Sequence, residues 1–114
     1  MNLEQNLQKI GLSEKESSLY LAGLQTGPAT MQELVNSAHL KRATVYELVD
    51  SLKEKGLIKT VLKGKRKIYI AEDPQNIFPL IKQKENILHN IMGQLLSIQN
   101  HAGKKPSVKI YQGI

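Results

Sequence analysis

Apolar residues along this chain recur in short helical rhythms separated by polar breaks. Leu3, Leu7 and Ile10 fall at i, i+4 and i+7, one face of a short leading helix that Gly11 ends. Ser13 followed by Glu16 has the form of a capping box and opens a second helix over about 14 to 25. That helix is expected to carry Leu19, Tyr20, Ala22 and Leu24 to the core, before Gly27 and Pro28 break it. Thr30 and Glu33 repeat the device for a helix of about two turns ending near Ser37. Only "SAHL" separates it from the next helical stretch, the outline of a helix-turn-helix.

In that next stretch, "LKRATVYELVDSLKEKGLI", Val45, Leu48, Val49 and Leu52 share one face, while Ala43, Glu47, Asp50 and Glu54 point the other way. Gly56 supplies the stop. "LIKTVL" and "KIYIA" then read as two strands joined by the basic turn "KGKR". Asp73 and Pro74 have the form of a cap and a first helical residue. From there Ile77, Ile81, Lys84, Leu88, Ile91, Leu95, Ile98 and Ala102 alternate steps of four and three, a heptad seam with one polar interruption at Lys84. Phe78, Leu80, Ile87, Met92 and Leu96 widen that stripe, part of which is available for the subunit's own core. A helix over this span is roughly 40 Å long at 1.5 Å per residue, more than one small domain covers. A β-like alternation of Val108, Ile110 and Ile114 follows.

These elements predict a mainly α fold: a winged helix-turn-helix with a two-stranded wing and a long C-terminal dimerisation helix. The expected divisions are a DNA-binding domain over 1–72, a coiled-coil-like helix over 73–103 and a short tail over 104–114.

Charge sharpens this picture through its location. Lys and Arg number two against four Asp and Glu in residues 1 to 40, nine against three in 41 to 71, and five against three in 72 to 114. The excess of the +6 net charge thus sits in the helix-turn-helix and hairpin, the expected footprint of a polyanion contact. Lys41 and Arg42 begin the second helix of the pair, against its dipole, at a cost of about 0.3 to 1 kcal/mol that phosphate contacts outweigh. Lys63, Lys65, Arg66 and Lys67 surround the hairpin turn, which Gly64 tightens. Thr44 and Tyr46 can hydrogen-bond phosphate or a base edge, Tyr46 can instead pack against the hairpin, and Ala43 is low enough to approach a thymine methyl. Arg42 has the bidentate fork that suits guanine. Glu47 can accept from a cytosine amine or act by repelling phosphate.

Other chemistry finds little support. With no cysteine there is no disulfide framework, thiolate zinc site or thiol nucleophile. His39, His89 and His101 are scattered along the chain, so no metal and no cofactor is expected, and surface or packing roles suit them. No catalytic residue and no enzyme activity is expected. The N-terminus lacks a secretory pattern and no apolar run approaches the roughly 20 residues of a membrane span, so a cytoplasmic location without a membrane partner is expected.

Three blocks, "GLSEKESSLYLAGLQTGPAT", "LKRATVYELVDSLKEKGLI" and "KIYIAEDPQNI", taken in this order and spacing, resemble the N-terminal domain of the TrmB family of transcriptional regulators, with a more distant similarity to MarR-type winged helices. The resemblance covers about residues 3 to 102. It implies a homodimeric, sequence-specific regulator of double-stranded DNA, with the helix around Arg42, Thr44 and Tyr46 in the major groove and the "KGKRK" wing on phosphate or minor groove. Many members sense sugars through a larger domain after the long helix. Here "KPSVKIYQGI" resembles only the first strand leading into it, so no small-molecule effector is expected. The alternative is a winged-helix module that binds protein within a transcription assembly, for which acidic Glu47, Asp50 and Glu54 are the motive.

Overall fold

The structure, a computed structural model, describes residues 2–102, so the expected β-like tail at Val108, Ile110 and Ile114 lies outside the described residues. The element order is α1 (Leu3–Ile10), α2 (Glu14–Thr26), α3 (Met31–Ala38), α4 (Arg42–Glu54), β1 (Ile58–Lys63), β2 (Arg66–Ala71), a 3-10 turn (Pro74–Asn76) and α5 (Ile77–Ala102). Residues Met1–Ile81 form one compact unit and a second begins at Lys82, within α5.

Local chemistry starts the first three helices in the same way. Ser13 Oγ accepts from the Glu16 amide at 3.1 Å while the Ser13 amide donates to Glu16 Oε1 at 2.8 Å. Thr30 and Glu33 exchange the same pair of bonds at 3.2 and 2.8 Å. Asn2 and Gln5 form a third box that the sequence reading does not include. Asp73 caps as expected, accepting from the Gln75 amide, but the turn it opens is 3-10 and becomes α-helical only at Ile77.

In the first unit Leu19, Tyr20, Leu34, Val45, Leu52 and Leu57 are fully buried. Each such side chain contributes about 1.5 to 3 kcal/mol through the apolar surface it removes from water. The seam residue Ile77 and the flanking Leu80 also pack into this core, so the start of the stripe is used within its own unit. Tyr20 reaches across 52 residues to donate its hydroxyl to the Glu72 carbonyl at 2.7 Å, tying α2 to the end of β2.

One expected core position, Leu24, and two members of the leading helix's apolar face, Leu3 and Ile10, lie outward. Leu24 is 38% exposed because α2 lays Gly23 against β2, where a Cβ would come within 3.2 Å of Ala71 Cβ. One residue further is 100° around the helix, which takes Leu24 to the rim. Leu3 and Ile10 are exposed because α1, two turns long, rests on α2 and turns only Leu7 inward.

The antiparallel pair β1–β2 runs in register from Ile58↔Ala71 to Lys63↔Arg66. The expected four-residue "KGKR" turn is therefore a two-residue loop of Gly64 and Lys65, with Lys63 and Arg66 in the strands. Gly64 has φ 68° and Lys65 a negative φ, the type II′ pattern that needs glycine first. Ala29 adds a one-residue bridge to the outer edge of β2, exchanging amide and carbonyl bonds with Tyr69 at 3.0 and 2.7 Å.

Two polar residues, Glu16 and Ser17, lie inside this apolar frame. Glu16 is only 4% exposed, and beyond its capping role its carboxylate accepts from Lys55 Nζ at 2.7 and 2.8 Å and from the Ser51 hydroxyl. Burial alone would raise its pKa, but the bonds from Lys55, Ser51 and the Ser13 amide outweigh burial and hold the carboxyl below its ordinary value of 4.5. The folded state thus favours the ionised form. Its stabilisation is complete above 4.5 and is lost as pH falls through that value toward the lowered folded pKa. Glu16→Ala should cost about 2 to 3 kcal/mol in urea unfolding at pH 7, near the lower end for a buried pair because Lys55 is partly solvated. Glu16→Gln should flatten the loss of stability on acidification below about pH 4.5, measured by the same unfolding at stepped pH.

Candidate nucleic-acid interface

The turn between α3 and α4 consists of His39, Leu40 and Lys41. His39 takes the left-handed conformation, φ 58°, and its amide donates to the Val35 carbonyl at 3.0 Å, which closes α3. Lys41 is the N-cap of α4 and makes no side-chain cap bond, unlike the caps of α1 to α3. The first-turn amides of α4 therefore have no side-chain acceptor. Val45, Val49 and Leu52 are buried below, so Lys41, Arg42, Ala43, Tyr46, Glu47, Asp50 and Glu54 are exposed and Thr44 and Leu48 are half-buried.

Arg42 is held in place. Its NH1 donates to Gln32 Oε1 of α3 at 2.7 Å, and its guanidinium carbon lies 5.9 Å from the centroid of the Tyr46 ring, one turn along α4. Tyr46 remains 47% exposed. The exposed face of α4 also reaches the wing strand: burial raises the pKa of the Tyr69 hydroxyl, Tyr46 and Asp50 raise it further, and Arg42 opposes them. Tyr46 thus faces solvent and Arg42 while lying near the hairpin.

Side chains directly paired across an antiparallel ladder share a face. Lys63 and Arg66 share one face of the ribbon, Leu62 and Lys67 the other, and Gly64 and Lys65 form the tip. All are exposed, Leu62 to 70%. Lys67 is two residues from Tyr69 on β2, about 7 Å at 3.4 Å per residue, so the wing cations begin about that far from the tyrosine that Arg42 and Tyr46 influence.

Among the described residues, none of Lys41, Arg42, Lys63, Lys65, Arg66 and Lys67 forms an ion pair with a carboxylate. Lys55, Lys59 and Lys82 do, with Glu16, Glu72 and Glu85. The fold therefore leaves the cations of these two elements unneutralised.

In the second unit every described residue of α5 from Lys82 to Ala102 is exposed. Residues 86 to 102 contain no Asp, Glu, Lys or Arg. Leu88, Ile91, Leu95 and Ile98 of the seam are exposed, as are the flanking Ile87, Met92 and Leu96. Before them, Ile81 and Lys84 are exposed as well. Glu85 is engaged within its own helix by Lys82 at 3.3 Å and His89 at 3.8 Å. His101 Nδ1 lies 2.8 Å from the Ser97 carbonyl.

Gln32 beside Arg42 and the Ala29 bridge also have no counterpart in the sequence reading. Gln32 and Arg42 stand ten residues apart across a turn, a spacing no helical or strand period marks. Among the described residues no three His, Asp or Glu are grouped to hold a metal, and no helix is long and apolar enough to cross a membrane.

Comparison with known proteins adds to this geometry. Over 87 residues the chain is 29% identical to the HTH-type sugar sensing transcriptional regulator TrmBL1 of Pyrococcus furiosus, covering 76% of this chain and 25% of that protein. The chain thus spans about a quarter of the length of this relative. Its fold is similar to that of TrmBL2, an archaeal chromatin protein with a novel mode of DNA binding, at TM-score 0.66 and 21% identity over 90% of this chain and 43% of that one. It is similar also to a possible transcriptional regulator from Methanosarcina mazei, at TM-score 0.61 and 20% identity over 80% of this chain and 82% of that one. Residues 7–75 match the family described as the sugar-specific transcriptional regulator TrmB. From the start of the α1 core to the entry of α5, then, this winged helix-turn-helix chain belongs to the TrmB family, which comprises transcriptional regulators and not enzymes.

Proposed function

We propose that this chain is a cytoplasmic, sequence-specific regulator that binds double-stranded DNA as a homodimer. Residues 1–72 serve as the DNA-binding domain, 73–103 as the dimerisation helix, and 104–114 as a short tail. The observation that carries the reading is the set of six exposed, unneutralised cations at two elements, Lys41 and Arg42 at the start of α4 and Lys63, Lys65, Arg66 and Lys67 on the wing. A polyanion satisfies such a surface by displacing counterions. In this reading α4 enters the major groove, with Arg42 forked onto a guanine, Ala43, Thr44, Tyr46 and Glu47 beside it, and the wing on the backbone.

The uncharged, exposed stretch 86–102 supports pairing through Ile81, Lys84, Leu88, Ile91, Leu95 and Ile98, with Ile77 given over to its own core. A two-fold dimer matches half-sites about 34 to 36 Å apart, or a multiple of that.

Raising salt from about 50 to 200 mM should weaken binding to a selected duplex by about 10³-fold if six phosphates are contacted. A flat response in a mobility-shift titration would refute the reading and favour a protein-binding module instead. Arg42→Ala should cost about 1 to 3 kcal/mol and relax preference at one base position, whereas Lys65→Ala should weaken all sequences alike and lower the salt slope by about 1. Selection from a randomised duplex pool separates these outcomes. Ile91→Asp should halve the mass seen by light scattering, because a charge in an apolar seam is costly to bury; a wild-type mass equal to one chain would exclude the dimer.

A further inference from the structure

We infer that Gln32 of α3 is a positioning residue that sets how Arg42 meets a base, an inference that rests on the DNA reading above. Gln32 occupies the exposed first turn of α3, and Arg42 NH1 donates to its Oε1 at 2.7 Å. The other end of the amide, Nε2, donates to Asn36 Oδ1 at 3.0 Å, one turn along the same helix. An arginine offers donors and no acceptor, so the amide can satisfy it only with the oxygen turned toward α4. Its NH2 group then points at Asn36, which answers with its own oxygen. Asn36, Gln32 and Arg42 thus form a chain with a single internally consistent orientation.

On its other side the guanidinium lies over the Tyr46 ring at 5.9 Å, a cation–π arrangement within one helix face. The group is therefore confined by an amide from one helix and a ring from the next. Of its five N–H donors, Gln32 takes one on NH1. The edge formed by Nε and NH2 keeps its full donor pair, the pair a guanine O6/N7 edge requires. An unrestrained arginine would lose its rotamer freedom on binding. Here the fold restricts that freedom beforehand, an advantage of roughly three- to tenfold in affinity.

A purely structural α3–α4 bond would change stability and leave base preference alone. The test is therefore selection from a randomised duplex pool, with anisotropy titration on the selected site, using the full chain as wild type, Gln32→Leu, Gln32→Glu, Arg42→Ala and the Gln32→Leu/Arg42→Ala double variant. Gln32→Leu should weaken the selected site about three- to tenfold and relax the same base position as Arg42→Ala, with random-duplex affinity, salt slope and urea midpoint unchanged. It should add nothing on the Arg42→Ala background, because the two act as one unit. Gln32→Glu still orients the guanidinium, so it should keep the base preference while its carboxylate lowers affinity for every duplex. If Arg42→Ala relaxes one position and Gln32→Leu leaves it intact, or if the two losses simply add, the positioning role is overturned while the DNA reading stands. If wild type itself retains no duplex, the DNA reading fails first and takes this inference with it.

Discussion

The buried face of α4 is the constraint on which the rest of the molecule depends. Val45, Val49 and Leu52 have almost no exposed surface, and the 100° step of a helix then dictates where every other residue of α4 points. Rotating α4 by one residue would replace those three with Tyr46, Asp50 and Lys53 in one direction and Thr44, Leu48 and Ser51 in the other, so its outward set is fixed by packing. The far end is pinned by a different force. Ser51 and Lys55 close on Glu16, whose carboxylate also caps α2, so one side chain starts one helix and anchors the end of another. Hydrophobic burial sets the rotation of α4, and a buried charge sets its position along its own axis.

Local signals in the sequence reached the pieces of this arrangement and stopped short of their assembly. The boxes at Ser13–Glu16 and Thr30–Glu33 are complete within four residues, so sequence alone discloses them, and the apolar stripe of α4 has a period that survives without coordinates. The second task of Glu16 depends on Lys55, 39 residues away, and no local rule predicts that meeting. Leu24 was misplaced for a related reason: its neighbour Gly23 can approach Ala71 closely, which turns the buried stripe of α2 away from the larger side chain. Ala29 pairs with Tyr69 as a single residue and has no alternation to show.

The candidate site divides in the same way. Its cations stand out because like charges cluster in one segment next to acidic or near-neutral flanks, and clustering is a property of sequence. Which of them is free and which is restrained is a property of three-dimensional neighbours. Arg42 is braced by Gln32 and Tyr46, while Lys65 stands at the tip of a two-residue loop. Two residues with the same formal charge are thereby suited to different work, one to a directed contact and the other to a diffuse one.

His39 has a consequence for how firmly this division is kept. A side chain at φ 58° costs roughly 1 to 2 kcal/mol that glycine would not incur. Yet the same β-carbon closes off most of the torsional range that glycine would explore. The elbow joining α3 to α4 is thus made stiff at the expense of comfort, and the alignment of one helix relative to its neighbour is inherited from a residue with few other shapes to take.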